Sequence, residues 1–436
     1  MKIFIENYKN IRNVTLDVPE SKRMILLGAN GTGKTNTLEA VYYEKCSFLD
    51  CEDEYADRFL LSLDYHKNMD YYYPNADLIR ELFSFDDEKD LISVLVEFLE
   101  KSYNKLKMPL MRKLINDALD AFKYARINRK FDPSPLAITR LVILNRIYEK
   151  ARQLNQKYII LMDTPELYAH PLLMEEISTS LLKLEQAGCL VIVTTHNEQV
   201  ISRLFTRFNE IVRLSKNAEG FMETMTVDME KVEKDINAFY EADEYLTHNF
   251  SKSSRPDYGL VRLLERDIEG YLITAFRDRI IKAFFYNTIV LGEGASEDVL
   301  FDYIENKVHP SWAAEYRVGF MNCMGKSTMP LYFIFLNNIG VKTFVIYDYD
   351  NDNNPVHVAY REAFNRYFHD HKDIFRCYYL KPDLEGFLNI GERVESIIKP
   401  VNIYNYTFMQ DTRSKGINRL LNVLKENIIS LNKEAE

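Results

Sequence analysis

Gly28-Ala29-Asn30-Gly31-Thr32-Gly33-Lys34-Thr35 follows the apolar run Met24–Leu27 and leads into a segment carrying Leu38, Val41 and Tyr42. The octet fits G-x-x-x-x-G-K-[ST], set between a strand and a helix as that motif requires. Its glycines let backbone N–H groups from Asn30, Gly31 and Gly33 converge on phosphates, Lys34 reaches the outer oxygens, and Thr35 can place its hydroxyl on Mg²⁺. The stretch therefore predicts an ATP site on an α/β sheet.

Further along, the apolar strand Tyr158–Met162 ends in Asp163, where a carboxylate holds the water shell of a nucleotide's metal. The next apolar strand, Leu190–Val193, runs into Thr194-Thr195-His196-Asn197. This puts an imidazole at a strand's carboxyl end, where open α/β sheets bind ligands, and makes His196 a candidate γ-phosphate sensor. Between loop and Asp163, the pattern from Glu52 to about Asn128 reads as helical, with Leu91, Ile92, Leu95, Phe98 and Leu99 behind Asp90.

A second set of acids follows. Leu291-Gly292-Glu293-Gly294-Ala295-Ser296-Glu297 puts one carboxylate at a strand end and a second in the first turn of a helix. Some fifty residues on, the strand Thr343–Tyr347 runs into Asp348-Tyr349-Asp350, an i, i+2 pair that points one way from an extended backbone. Oxygen-only ligands suit Mg²⁺ or Mn²⁺, and two such ions can stabilise the attacking and leaving oxygens of a phosphodiester cleavage. Asp352 reads as loop chemistry.

Composition bounds the rest. A chain of 436 residues, 47% hydrophobic and 28% charged, is too long for one ordinary core and suggests two or three domains. No apolar run approaches the ~18 residues of a membrane span, and the start lacks a signal-peptide core, so a cytoplasmic protein with no membrane partner is expected. The five cysteines show no metal-knuckle spacing and read as free thiols. A net charge of −10 argues against wholesale coating of nucleic acid but is compatible with a local basic groove. Residues 216–257 are polar and acid-rich, end in Ser251-Lys252-Ser253-Ser254-Arg255-Pro256, and read as a loop or mobile connector, with a helical stretch from Tyr258 to Ala283 behind it.

The first half resembles ABC-type ATPases of the RecF/SMC/OLD kind. The resemblance rests on the opening Ile5-Glu6-Asn7-Tyr8-Lys9-Asn10, on Asp163-Thr164-Pro165-Glu166-Leu167-Tyr168-Ala169-His170-Pro171, and on Thr194–Asn197. It departs from that pattern twice. Thr164 stands where the family's water-polarising glutamate is usual, and a threonine hydroxyl cannot act as a general base near neutral pH. Of the family's glycine-containing signature only Ser134-Pro135-Leu136-Ala137 is found, so weak or absent hydrolysis is implied.

The E-G-x-x-E and D-x-D segments resemble the Toprim domain of OLD-family nucleases. This likeness implies that Glu293, Glu297, Asp348 and Asp350 are metal-binding catalytic residues and that Glu385, in Asp383–Leu388, is a further ligand. It implies that Lys326 and Lys415 face the scissile phosphate. The expected fold is α/β: an ABC-type P-loop ATPase domain over 1–215 with a helical insertion over about 52–130, a connector and helical dimerisation segment over 216–285, and a Rossmann-like Toprim domain over 286–436. The expected function is an ATP-binding, metal-dependent DNA endonuclease, a homodimer or higher homo-oligomer, with a role in bacterial anti-phage defence beside a partner protein. A nucleotide-sensing scaffold with a silent Toprim unit is an alternative, and a primase- or topoisomerase-like activity a third, although among 29 tyrosines no nucleophile signature stands out.

Overall fold

The computed structural model describes residues 1–51, 54–61, 116, 136–167, 169–243, 245–246, 267–349, 353–390, 398–409 and 415–433. Most of the expected helical insertion, Ser134 and Pro135 of the signature segment, Tyr168, the tail 251–256, the stretch 258–266, Asp350 and Asp352 lie outside the described residues. The chain divides into two units, Met1–Thr224 and Met225–Glu436.

In the first unit, β1 (Lys2–Tyr8), β2 (Ile11–Asp17) and β4 (Cys46–Leu49) make a small antiparallel sheet in the order β2-β1-β4. The main sheet runs β5-β6-β7-β3-β8-β9, where β3 is Arg23–Gly28, β5 Tyr55–Leu61, β6 Lys157–Asp163, β7 Leu190–Thr194, β8 Ile211–Lys216 and β9 Met222–Thr226. From β5 through β8 every pairing is parallel. Strands β3, β6 and β7 are buried along almost their whole length, as their near-continuous apolar runs demand of a parallel sheet covered on both faces. Because β6, β7 and β3 are successive parallel neighbours, their carboxyl ends share one edge, which brings the ends of all three motifs together.

The helical pattern taken to start at Glu52 begins instead with β5, whose Phe59, Leu60 and Leu61 are buried against Ile160, Leu161 and Met162 of β6. Likewise, residues 216–257 are not one loop: they hold β9 and the helix Met229–Glu241, capped by Asp228 through its bond from the Lys231 N–H. That helix buries Val232, Ile236, Phe239 and Tyr240, a 3.6-period stripe that its acidic residues disguise.

The second unit is built on the parallel sheet β11-β10-β12-β13, with β10 Thr288–Gly292, β11 Val318–Asn322, β12 Lys342–Asp348 and β13 Phe375–Leu380. The apolar helix Met329–Asn338, whose first eight residues are all buried, and the amphipathic helix Lys415–Lys433 contribute to the unit's covering layers. Strand order turns around β10: β11 lies on one side and β12 with β13 on the other. Such a switch point opens a crevice at the carboxyl ends of the strands. None of the five cysteines is in a disulfide, and among the described residues no helix is long and apolar enough to cross a membrane.

Candidate functional site

In the first unit the phosphate-binding loop is held by its own lysine. Lys34 Nζ donates to the carbonyls of Gly28 (2.8 Å) and Ala29 (2.9 Å), so the ammonium lies along the path of the loop where phosphate oxygens would replace those carbonyls. Asn10 braces the loop from outside: its amide donates to the Thr32 carbonyl (3.0 Å) and accepts from Asn36 (2.6 Å). Asn30 and Gly31 stay exposed, as a backbone nest for an anion requires, while Gly33 is buried at the head of the helix Lys34–Tyr42.

Thr35 Oγ1 donates to Asp163 Oδ2 at 2.9 Å, joining the loop to the end of β6, and Thr194 Oγ1 donates to the other oxygen of the same carboxylate. The two groups expected to share a metal's coordination shell thus already touch. His196 lies beside them. Burial, and then the positive charge of Lys34, push its imidazole pKa down against the opposing pull of Glu166 and Asp163. A neutral imidazole beside Lys34 can hydrogen-bond a phosphate without adding charge.

Thr164 adopts a left-handed backbone (φ 44°), with its N–H on the Thr194 carbonyl (2.9 Å), and buried Arg140 donates to the Thr164 (3.3 Å) and Pro165 (3.2 Å) carbonyls. That turn carries Glu166 onto the end of β7, where its two oxygens accept from Thr195 Oγ1 (2.8 Å) and the His196 N–H (2.9 Å). The carboxylate beside the candidate sensor is therefore Glu166, two residues past the family's usual position.

In the second unit the site starts from a glycine. A Cβ on Gly292 would stand 2.5 Å from Glu297 Cβ and 2.8 Å from Phe301 Cε2, so only glycine lets β10 meet the first turn of the helix Ala295–Tyr303 this closely. The contact presses Glu297 inward to 4% exposure, with one carboxyl oxygen on the Gly294 N–H (2.8 Å). Burial first, then the charges of Asp348 and Glu293, push the Glu297 pKa up to about 8, with the Gly294 hydrogen bond opposing.

The loop after β11 runs along the same strand end. Cys323 N–H donates to the Gly292 carbonyl (2.9 Å) and Gly325 N–H to that of Glu293 (2.6 Å), which delivers Lys326. Its side chain is 7% exposed, and its ammonium donates to the Asp348 carbonyl (2.7 Å) and lies 3.7 Å from Glu293 Oε2. The Asp348 N–H faces the same Glu293 oxygen at 3.4 Å, and Asp348 Oδ1 accepts from the Leu384 N–H (2.9 Å). Glu293, Asp348 and Lys326 are therefore in contact, and Glu297 lies within reach of the charges of both carboxylates.

The remaining candidates are placed differently. Glu385, on the short helix Leu384–Leu388, pairs with Lys399 (3.2 Å), and its other oxygen is buried without a hydrogen-bond partner in the structure. Lys399 was not foreseen. Burial lowers its pKa, but Glu385, with Asp348 and Asp383 behind it, outweighs that and raises it, so this ammonium sits within the field of the acidic group. Lys415 opens the last helix and is exposed; the next residue, Gly416, packs so tightly on Leu388 that a Cβ would lie 2.6 Å from the Leu388 carbonyl oxygen. No described hydrogen bond or ion pair joins Lys415 to the carboxylates. Among the described residues no three Asp, Glu, His or Cys side chains close around one point as a ready ligand set. Lys326 holds the place between Glu293 and the Asp348 backbone, Glu297 is turned to Gly294, and Asp350 is not described. The chemistry of the donors nonetheless fits a hard divalent ion: they are carboxylate oxygens whose mutual repulsion a cation would relieve.

Residues 284–350, which span β10 to the end of β12, match the family described as overcoming lysogenization defect protein-like, TOPRIM domain. The second unit carries an OLD-like Toprim domain. A curated relative, the Old nuclease of Escherichia phage P2, is 23% identical over 202 residues, a match covering 46% of this chain and 29% of that protein. The chain thus matches less than a third of the relative's length. Solved structures similar to the chain include an ATP-binding cassette of an ABC transporter (TM-score 0.27, 15% identity, covering 48% of this chain and 84% of that one) and a dimeric post-hydrolysis ATP-binding cassette bound to ADP and Pi (TM-score 0.23, 18% identity, 47% and 91%). Similarities this low carry no geometry. Ahead of the Toprim domain, the first unit's own contacts and sheet order join the P-loop to the end of β6, and the described residues of the chain are mixed α/β.

Proposed function

We propose that the chain is an ATP-binding, divalent-metal-dependent DNA endonuclease of the OLD type, in which the Toprim unit cuts and the P-loop unit regulates. The observation that carries this reading is the approach of Glu293, Glu297 and Asp348 from two strands and a helix at the switch point of one parallel sheet. Glu293, Glu297 and Asp348 would hold Mg²⁺ or Mn²⁺, with Asp350 and Glu385 as further ligands. When bound, the ion supplies Lewis acidity at the phosphodiester. Lys326 neutralises the scissile phosphate after exchanging its contact with Glu293 for one with the substrate, and Lys415 adds a second positive group from the last helix.

At the other site, Asn30, Gly31 and Gly33 cradle the phosphates, Lys34 neutralises them, Thr35 and Asp163 hold the nucleotide's Mg²⁺, and His196 senses the terminal phosphate. Hydrolysis is slow because Thr164 offers no base and Glu166 is engaged by two donors. That same observation favours a second reading, a nucleotide-sensing scaffold whose Toprim unit awaits a partner. Composite ATP sites of ABC type need facing copies, so a homodimer is the minimum assembly. A bacterial anti-phage role, in the cytoplasm and beside a partner protein of the same defence system, follows from the OLD resemblance.

The test is incubation of the full chain with supercoiled and linear plasmid, in EDTA, Mg²⁺ or Mn²⁺, each with and without ATP. Nicked or linear product that needs the metal supports the nuclease. Silence in every lane moves the scaffold ahead, and relaxation with religation points to a topoisomerase.

A further inference from the structure

Just beyond the acidic group, the strand ends carry aromatic rings with cations laid on them. Tyr349 directly follows Asp348, and its N–H donates to the Leu380 carbonyl (2.9 Å), tying the end of β12 to the end of β13. Lys381 then places its ammonium 4.0 Å from the Tyr349 ring centre and 5.5 Å from that of Tyr379. From the helix Pro355–Asp370, the Arg361 guanidinium lies 4.4 Å over Tyr349. The Tyr349 and Tyr379 rings are 5.2 Å apart at 50°. Tyr379 pairs in register with buried Tyr347, yet remains 39% exposed on β13, the edge strand of the sheet.

We propose that Tyr379, with Tyr349, Lys381 and Arg361, forms a subsite that stacks an unpaired nucleobase of DNA next to the scissile phosphate. The proposal rests on the nuclease reading and adds to it the form of the substrate. An exposed ring beside cations suits an aromatic ligand that is also an anion. A nucleotide is both: its base has a π-face for Tyr379 and its phosphate a charge for Lys381. Asp348 pairs with Leu380 and Tyr379 with Tyr347, so the Asp348 carboxylate and the Tyr379 ring leave opposite faces of the sheet at the same carboxyl edge, and a base on this platform belongs to a nucleotide flanking the one held at Asp348, with the strand of DNA crossing that edge. A paired base has both faces covered by its neighbours in the stack. Tyr379 therefore selects for unpaired positions.

Binding is read by fluorescence anisotropy in EDTA, so that nothing is cut, using the full chain with a labelled single strand and a duplex of the same length. Wild type should prefer the single strand, and Tyr379→Ala should weaken single-strand binding by roughly 5-fold to 150-fold, the range of one lost base–ring stack. Tyr379→Phe, which keeps the ring, should retain the affinity. Lys381→Ala should weaken binding and flatten its salt dependence by about one phosphate contact. Equal affinity of wild type for both DNAs, or a folded Tyr379→Ala that binds the single strand as wild type does, overturns the proposal. If Tyr379→Ala fails to fold, an unchanged affinity and salt slope in Lys381→Ala overturn it instead. Because no metal is present, Tyr379-dependent binding without plasmid cutting refutes the nuclease reading alone, and normal cutting with Tyr379-independent binding refutes the subsite alone.

Discussion

The Gly292-Glu293-Gly294 turn gives two substitutions of like chemistry and opposite expected outcome. In Gly292→Ala the new methyl would sit 2.5 Å from Glu297 Cβ, 2.8 Å from its Cγ and 2.8 Å from Phe301 Cε2. Both neighbours are buried and cannot swing aside, so the helix Ala295–Tyr303 must retreat by about 1 Å to restore an ordinary contact of about 3.5 Å. Forcing a methyl into a packed site costs about 1–3 kcal/mol, or roughly 2–12 °C of melting temperature for a unit of this size. A displacement of about 1 Å at a reacting group costs on the order of 100-fold in rate. A Cβ on Gly294, by contrast, meets only Glu297 Oε2 at 3.9 Å, and its φ of −155° is open to any residue. Gly294→Ala should therefore melt and cut like wild type. Thermal melts and plasmid-cutting rates of both variants in Mg²⁺ decide it. A Gly292→Ala protein with wild-type melting and rate, or a Gly294→Ala protein as damaged as Gly292→Ala, would refute the reasoning.

Three further outcomes are expected. Lys34→Ala removes the ammonium that lines the loop and should abolish the rise in melting temperature that ATP gives wild type; an undiminished rise would contradict the ATP site. At Thr164, the left-handed backbone holds a β-branched residue at a cost of about 1 kcal/mol, so Thr164→Gly should melt higher. Wild-type ATP turnover, measured by phosphate release, should be slow and should rise in Thr164→Glu despite that strain. The third concerns the buried Arg23, whose guanidinium bonds Glu210 at 2.8 Å and also Glu185. Burial would raise the Glu210 pKa, but the Thr206 N–H and Arg23 outweigh it and hold it below the ordinary range of a glutamate. A carboxylate depressed in the folded state contributes stability above its unfolded pKa and loses it as pH falls through the folded one. Glu185, raised by burial, shifts the other way. Glu210→Gln should therefore cost about 3–5 kcal/mol at neutral pH, with the deficit shrinking below about pH 4.5. Denaturant melts at pH 7 and pH 3.5 check the sign.

What could be read directly from the chain were motifs whose backbone and chemistry coincide. The P-loop needs Gly, Lys and Thr at fixed offsets from a strand, and Glu293 and Asp348 each end an apolar run, so strand and site announce one another. Strand β11 escaped because Val318-Gly319-Phe320-Met321-Asn322 is short and interrupted by glycine. Strand β13 escaped because Arg376 is buried within it. The helix Met229–Glu241 escaped because its acids Glu230, Glu233, Asp235 and Glu241 are interleaved with an apolar stripe of equal number. Asn10, Arg140, Glu166 and Lys399 act through contacts across the fold, between residues 14 to 30 positions apart, and no local period encodes those. Glu166 alone left a trace: an acid two residues beyond Thr164, where the usual glutamate is missing.

Carboxylates at the carboxyl edge of the Toprim sheet are expected to hold the ion that cuts DNA. Asp348→Asn keeps the shape of the side chain and an oxygen that can still accept from the Leu384 N–H, while removing one negative charge from the group formed with Glu293 and Glu297. The direct measurement is a plasmid-nicking time course in Mg²⁺ and in Mn²⁺ on wild type and Asp348→Asn, with melting curves run alongside. The account predicts a folded Asp348→Asn whose metal-dependent cutting has fallen by orders of magnitude, whereas a folded Asp348→Asn that cuts as fast as wild type would contradict it.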